Sequence, residues 1–278
     1  MSEPNANDLP GGRASDSGEL DSAMSIWEHL DEFRRRLVRG VIAICFTTGL
    51  CWFQKERILN VLATPYVSQW RAAGMPGQPE LQSFEMGGNF TAYMRLAITC
   101  GLILGVPVIF WELWGFISPG LYAKEKRFIL PFVFFSSILF FSGVVFAQKL
   151  AFPMAVHYFF TLSGAVGGQG LIVAQRTSFE SFLDFTTAVH LIFGAIFELP
   201  ILIVFLVIAG IVTRSQLWKF SRYAIFASIA IGAIATPGGD VVFQMVVAGA
   251  LSGLYFSSIL LSYLVSAGTK KEAEKASP

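Results

Sequence analysis

Long apolar segments recur along this chain of 278 residues, and they restrict its fold more than any other feature of the sequence. Several runs reach about 15 residues or more, which approaches the length that a helix needs to cross a bilayer. Hydrophobic residues make up 54% of the chain, charged residues only 14%, and the mean hydropathy is +0.60. This balance is more apolar than that of soluble domains. We therefore predict an all-α integral membrane protein.

Six membrane-spanning helices are predicted. They cover residues 37–53, 91–114, 128–148, 188–212, 220–235 and 241–264. The fifth, of roughly 16 residues, is shorter than the ~20 that a crossing usually takes, so we expect it to tilt little and to thin the bilayer locally. The membrane domain as a whole is expected to cover 25–265. It lies between a disordered tail over 1–24, rich in Gly, Pro and Ser, and a second tail over 266–278.

An amphipathic helix is predicted ahead of the first span. Ser25 and Glu28 fit a capping box, and apolar residues then recur with helical spacing at positions 26, 30, 33 and 37. Such a helix lies on the membrane surface and feeds directly into the span. The arginines at 34–36 are also typical of an export signal. However, no small-x-small cleavage site follows near Phe53, so we interpret them as a positive flank of the span.

The distribution of lysine and arginine predicts the orientation. The N-terminus, the loops 115–127 and 213–222 and the C-terminal tail together hold fourteen of the 20 basic residues, and the other side holds six. The positive-inside rule then places both termini in the cytoplasm. The two long loops on the other side, 54–90 and 149–187, contain apolar stretches, and we expect short helices in them that pack over the ends of the spans.

The sequence offers little to hold a metal or a cofactor. Cys45, Cys51 and Cys100 lie in apolar stretches, and the three histidines are scattered, so we predict neither a disulfide framework nor a metal site. A net charge of +1 argues against nucleic-acid binding. The sequence contains no Gly-rich phosphate loop and no paired nucleophile and base, so no cofactor is expected and the chain is not expected to be an enzyme.

Four short motifs follow one another in a fixed order along these spans. They are HLDEFRRRL at 29–37, FISPGL at 116–121 with Glu125 after it, FELP at 197–200 and TPGGD at 236–240. Each is weak alone, but the series over about residues 25–264 resembles the TatC family, the multispanning core of the twin-arginine protein translocase. Two departures from the family pattern are visible. Phe33 replaces a usual leucine, and Gly238 with Gly239 lengthens the last turn.

The resemblance implies a receptor and assembly core in the bacterial cytoplasmic (inner) membrane, which helps to export folded proteins that carry twin-arginine signal peptides. It also implies the proton-motive force as energy source, small single-span TatA- and TatB-like subunits as partners, and self-association. The signal-peptide site that it implies consists of Glu32, Arg34, Phe116 and Glu125. The contact with partner helices that it implies consists of Thr236, Asp240 and Gln244. Pro65 matches a family proline in the first outer loop.

Two acidic residues of this implied site suit the ligand on physical grounds. A pair of guanidinium groups is best held by two carboxylates, each of which can accept a two-pronged hydrogen bond. Glu32 and Glu125 lie at the ends of different spans that could converge. Arg36 and Arg127 compete for them, but exposed pairs of this kind contribute only about 0–1 kcal/mol, so a well-shaped ligand could displace them.

Glu198 is an acidic residue within an apolar run, where a charge costs several kcal/mol unless it is paired, protonated or in contact with water. One interpretation is a carboxyl group hydrogen-bonded to a neighbouring span; the other is a group that lines a water-accessible hollow. A proton-coupled transporter of a small solute, with Glu198 as relay, is the alternative function, although no internal repeat supports it. An intramembrane enzyme is weaker still, because His190 lies about 12 Å from Glu198 along a helix.

Overall fold

The computed structural model describes residues 26–75, 77–117, 129–162, 164–166, 171–173, 176–235 and 241–275. The predicted N-terminal tail, Ser25, Glu125, Thr236 and Asp240 lie outside these residues. The helices are α1 (Ile26–Phe53), α2 (Lys55–Ala72), α3 (Gly88–Ile117), α4 (Ile129–Phe146), α5 (Phe152–Thr161), α6 (Phe179–Ile196), α7 (Leu199–Ile208), α8 (Arg214–Ala235) and α9 (Val241–Lys275). The strands are β1 (Leu81–Gln82), β2 (Gly164–Val166), β3 (Leu171–Val173) and β4 (Thr177–Ser178).

Five helical segments are long and apolar enough to cross a membrane among the residues described. They are Trp27–Phe53, Gly88–Ile117, Leu130–Thr161, Phe179–Ile208 and Val241–Tyr263. The chain is therefore a helical, multi-pass membrane protein, as predicted. The predicted fifth span belongs to α8, which has 22 residues and starts at Arg214 rather than near 220. α8 contains Lys219 and Arg222 and is not among these five segments, so its crossing remains a prediction.

Helices α1 and α3 form a close antiparallel pair. A Cβ atom on Gly101 would lie 2.6 Å from the backbone nitrogen of Thr48, so the two backbones touch at a point where only glycine fits. The Thr47 hydroxyl donates a hydrogen bond to the Gly101 carbonyl over 2.7 Å. The register of the pair therefore brings the start of α1 to the end of α3. We call this end of the molecule the entry side and the opposite end the cap side.

The cap side is covered by α2 and α5, which confirms the prediction of short helices in both long loops. Their aromatic residues pack with the first residues of α3 and α6 in one buried cluster. Its members include Tyr66, Trp70, Leu96, Phe152, Phe160, Phe182 and Leu183. Two short strand pairs were not predicted. The pair β1–β4 is parallel and β2–β3 is antiparallel, and strands of two or three residues are too short to show an alternating pattern.

The third and fourth spans differ from the predicted helices. The helix of the third span does not stop near 148, because a π-helical turn at Ala147–Ala151 continues it into α5 on the cap side. The fourth, predicted as one helix over 188–212, breaks at Phe197 and Glu198 between α6 and α7. Pro200 causes the break, since it lacks the N–H that a continuous helix would require at that position. On the entry side, α9 continues to Lys275 rather than ending near 264.

Candidate functional site

Aromatic side chains join α1 to the end of α3 on the entry side. The imidazole ring of His29 stacks on Phe116, with 4.5 Å between ring centroids and 19° between planes. Phe33 tilts against the same ring at 5.3 Å. The end of α3, which precedes Glu125 in the sequence, therefore lies beside the first turns of α1.

A network of four charged side chains lies next to these rings. Arg36 donates two hydrogen bonds to one oxygen of Glu32, Oε1, over 2.6 and 2.9 Å. The other arm of the same guanidinium reaches Glu112 over 3.3 Å, and Arg39 contacts the Glu112 carboxylate over 3.4 and 3.5 Å. Only 20% of the Glu32 side chain and 11% of the Glu112 side chain are exposed. Two arginines and two acidic residues thus share one half-buried site.

The second carboxylate oxygen of Glu32, Oε2, is buried and has no hydrogen-bond partner within the described part of the chain. A buried acceptor of this kind costs free energy until a donor reaches it. Beside it, a groove of about 260 Å³ runs down the α1–α3 seam. Its walls are mostly apolar and are formed by Phe33, Leu37, Val41, Ile44, Leu102, Ile109 and Leu113, with Arg36, Glu112 and Phe116 at one end. The site therefore combines an unpartnered acceptor with an apolar groove.

The predicted site residues are only partly brought together. Glu32 and Phe116 lie on the same surface, and the Glu32–Arg36 pair occurs as expected. Arg34 is exposed and makes no ion pair to any residue that the structure describes. Glu125 lies outside the described residues, so its convergence with Glu32 stays a prediction. Glu112 was missed, because the sequence gives no information on the register between α1 and α3 that brings it to Arg36.

Glu198 lies at the break between α6 and α7 and faces α4. Ser136, which is 1% exposed, and Phe140 lie next to its carboxyl group. Its oxygen Oε1 is buried without a hydrogen-bond partner among the described residues. A neighbouring span therefore supplies a polar contact to the carboxyl, while one oxygen remains unsatisfied. His190 is not its partner, since the histidine ring nitrogens face the Thr186 carbonyl at 2.6 Å and Gln148 at 2.8 Å.

Gln244 lies in the first turns of α9, where α9 packs against α8. Its amide group donates a 3.4 Å hydrogen bond to the Ile229 carbonyl, and its backbone oxygen would lie 2.9 Å from a Cβ atom on Gly232. This places Gln244 at the α8–α9 contact on the cap side. Thr236 and Asp240 belong to the undescribed connection between these helices, so the predicted partner contact is represented here by Gln244 alone.

Comparison with known proteins gives a consistent result. A family model described as TatC, Sec-independent protein translocase protein, matches residues 28–249. The chain is 31% identical to the Sec-independent protein translocase protein TatC of Koribacter versatilis, over 96% of this chain and 95% of that one. It is likewise 31% identical to the protein of that name from Aquifex aeolicus, over 91% and 100%. Two crystal structures of the twin arginine translocase receptor TatC are also similar. At 30% identity each, they give TM-scores of 0.67 and 0.69 and cover 86% and 84% of this chain.

Proposed function

Because this chain belongs to the TatC family of Sec-independent protein translocase proteins, we propose that it is the receptor that binds twin-arginine signal peptides for its translocase. The family membership and the similarity to solved twin-arginine translocase receptors support this role over a solute transporter built around Glu198. The role is that of a receptor rather than an enzyme.

The binding site that we propose is the entry-side surface around Glu32. The observation that carries the proposal is the buried Oε2 atom of Glu32, which has no donor among the described residues although Oε1 has two. A guanidinium group from a ligand can fill this vacancy and form a charge-assisted hydrogen bond. Phe116 and His29 offer flat rings on which a guanidinium can also stack.

Glu112 lowers the free-energy cost of replacing Arg36 by a ligand at Glu32. Arg36 already contacts both Glu32 and Glu112, so it can move fully onto Glu112 when a ligand takes over Glu32. The resident arginine then keeps a carboxylate in both states, which avoids leaving a half-buried charge unpaired. In this arrangement Glu125 supplies a second carboxylate for the second arginine, and Arg34 contributes to the outer surface of α1.

The remaining assignments concern the membrane and the partners. We place the entry side and both termini in the cytoplasm, on the basis of the fourteen basic residues on that side, and the chain in the bacterial cytoplasmic membrane. A translocase component works in a complex with other Tat subunits. Its partners here are small single-span TatA- and TatB-like helices that bind along Gln244, Thr236 and Asp240, and further copies of the chain complete the complex.

Glu198 serves in this proposal as a polar position within the bilayer rather than as a proton relay. Glu198→Gln keeps the shape and the hydrogen-bonding groups but removes titration, whereas Glu198→Ala removes both. We expect export of a twin-arginine substrate to persist with Glu198→Gln and to fall strongly with Glu198→Ala. Equal loss of export with both substitutions would show that the carboxylic acid itself is required.

The receptor proposal is tested by measuring the affinity of a twin-arginine signal peptide for the purified chain. Glu32→Gln is expected to weaken binding about 10-fold or more, because a charge-assisted hydrogen bond contributes about 1.5–3 kcal/mol. The matched control is Asp31→Asn. Asp31 is the neighbouring acidic residue, is 61% exposed and pairs only loosely with Arg35 at 3.5 Å.

A peptide with two lysines in place of the arginines provides the second comparison. The unsubstituted chain should prefer the arginine peptide, since only a guanidinium offers the paired donors that a carboxylate binds. Glu32→Gln should lose much of this preference and Asp31→Asn should keep it. If both variants bind the two peptides as the unsubstituted chain does, Glu32 is not part of the site.

A further inference from the structure

A second cavity lies on the cap side, far from the α1–α3 surface. It has a volume of about 620 Å³ and is open to the outside. Its lining comes from α2, the π-helical turn, α5 and the first turn of α9. The lining residues are Gln69, Lys149, Leu150, Pro153, Met154, His157, Tyr158, Thr161 and Val242. Neither the receptor role nor the partner contact proposed above uses this cavity.

Among the lining residues of the cavity, Lys149 carries the full charge, and it is positive. Lys149 is exposed, and no carboxylate within the described part of the chain pairs with it. The described lining contains no acidic residue, while His157 and Gln69 add N–H groups and Thr161 adds a hydroxyl. This combination of one cation with several neutral hydrogen-bonding groups favours a ligand with a negative charge and several acceptor oxygens, such as a phosphate group.

The lining is also divided by polarity. Leu150, Pro153 and Met154, with Val242 of α9, form an apolar part that lies beside the polar residues of the lining. The residues that the π-helical turn and α5 contribute recur every three or four positions from Leu150 to Thr161, so they form one continuous stripe. The π-helical turn at Ala147–Ala151 ends α4 and puts Lys149 at the start of this stripe. A ligand that fits both parts is amphiphilic.

The depth of Lys149 matches the membrane surface. It lies twenty positions after Ile129, the first residue of α4, which corresponds to about 30 Å along a helix. This is also the approximate thickness of the hydrocarbon core of a bilayer. With Ile129 at the entry-side boundary of the hydrocarbon core, the ammonium group of Lys149 reaches the level of the lipid headgroups on the cap side, where a lysine extends its charge away from the hydrocarbon.

We propose that this cavity binds one anionic phospholipid from the cap-side leaflet, with Lys149 and His157 on its phosphate and the apolar stripe against its glycerol and first methylenes. The bound lipid would join α2, α5 and α9 at the point where they meet. This site depends on the membrane embedding of the chain and not on the signal-peptide site, so the two proposals fail independently.

The test uses the purified full chain in a non-ionic detergent, titrated with phosphatidylglycerol, with bound lipid counted by native mass spectrometry. We expect one saturable lipid, and Lys149→Gln should weaken its binding about fivefold, as the loss of one basic residue at a membrane surface does. Lys149→Arg should retain binding, which separates a lost charge from a damaged fold. Arg57→Gln is the matched control, because Arg57 is an exposed cation on α2 outside the cavity.

Three results would overturn the proposal. The first is equal phosphatidylglycerol binding by Lys149→Gln and the unsubstituted chain, or an equal loss with Arg57→Gln. The second is binding of phosphatidylcholine as tight as that of phosphatidylglycerol, which would mean that the negative headgroup is not recognised. The third is displacement of the lipid by millimolar inorganic phosphate, which would make the cavity a site for a free anion.

Discussion

Arg36 connects the two acidic residues of the entry-side site, and its position shows how one side chain can hold a site ready for a ligand. Its guanidinium donates to Glu32 and to Glu112 at the same time, and its own side chain is only 22% exposed. Gly115 makes room for it, since a Cβ atom at that position would lie 2.2 Å from its Nη1 atom. In the proposed site, the residue that competes with a ligand for Glu32 is therefore also the residue that stabilises the network without a ligand.

Replacing this arginine should lower stability. Arg36→Gln leaves the half-buried Glu32 without its arginine and leaves Glu112 with Arg39 alone. We therefore expect a loss of about 1–3 kcal/mol in the free energy of unfolding. Arg35→Gln removes an exposed pair, whose side chains are 67% and 61% exposed, and should cost less than about 1 kcal/mol. Unfolding of both variants in detergent measures the difference. Equal effects would mean that the network contributes no stability of its own.

At this scale the sequence predicted part of the site and missed another part. Glu32, Phe116 and the Arg36 competition followed from the motif and from spacing along a helix. Glu112 did not, because its contact with Arg36 depends on the register that Gly101 and Thr48 fix between α1 and α3. A contact between distant helices leaves no local pattern in a single sequence.

At the scale of elements, a series of hydrogen bonds links α2 on the cap side to the π-helical turn and to α6. Pro65 lies inside α2 and has no N–H, so the Val61 carbonyl one turn earlier lacks its helical donor. The side chain of Gln148 supplies the missing donor over 2.8 Å, and its own oxygen lies 2.8 Å from the Nε2 atom of His190 on α6. The family proline thus acquires a physical role, because the carbonyl that it frees ties α2 to the π-helical turn.

A double-mutant cycle tests this link. Gln148→Leu should cost about 0.5–1.5 kcal/mol for the lost bond to the Val61 carbonyl, in addition to the lost contact with His190. In a Pro65→Ala background, residue 65 regains the N–H that can bond Val61, so the first part of this cost should disappear. The loss of the His190 contact is common to both backgrounds and cancels. Strictly additive free energies of unfolding would contradict the link.

The elements themselves were predicted better where a long periodic run defined them. The sequence placed five spans and the helices of both outer loops, since apolar length and helical spacing are local properties. The break at Glu198 was not predicted, although proline is a poor residue for a helix interior. Whether a proline kinks or ends a helix depends on the tertiary packing around it, here that of α4, whose Ser136 and Phe140 lie beside the Glu198 carboxyl.

On the scale of the whole molecule, α1 is the most weakly enclosed span. Only 6% of the residues in its most apolar stretch are buried within the chain, against 28–39% for the other four that qualify. It packs on α3 at Thr47, Thr48 and Gly101 and through the aromatic and charged contacts of the entry side, and most of its other large apolar side chains are exposed. The entry-side site consequently depends on one helix pair, while the cap side is held by a broad aromatic cluster.

The proposed receptor function depends on two carboxylates, Glu32 on α1 and Glu125 after α3 in the sequence, each of which binds one arginine of the signal peptide. The most direct measurement compares peptides in which the first or the second arginine alone is replaced by lysine. Their affinities are measured for the unsubstituted chain, Glu32→Gln and Glu125→Gln. We predict that the unsubstituted chain loses about 10-fold or more for either replacement. Glu32→Gln should become indifferent at one position of the peptide and Glu125→Gln at the other. If both variants still discriminate at both positions, the carboxylates do not bind the arginines.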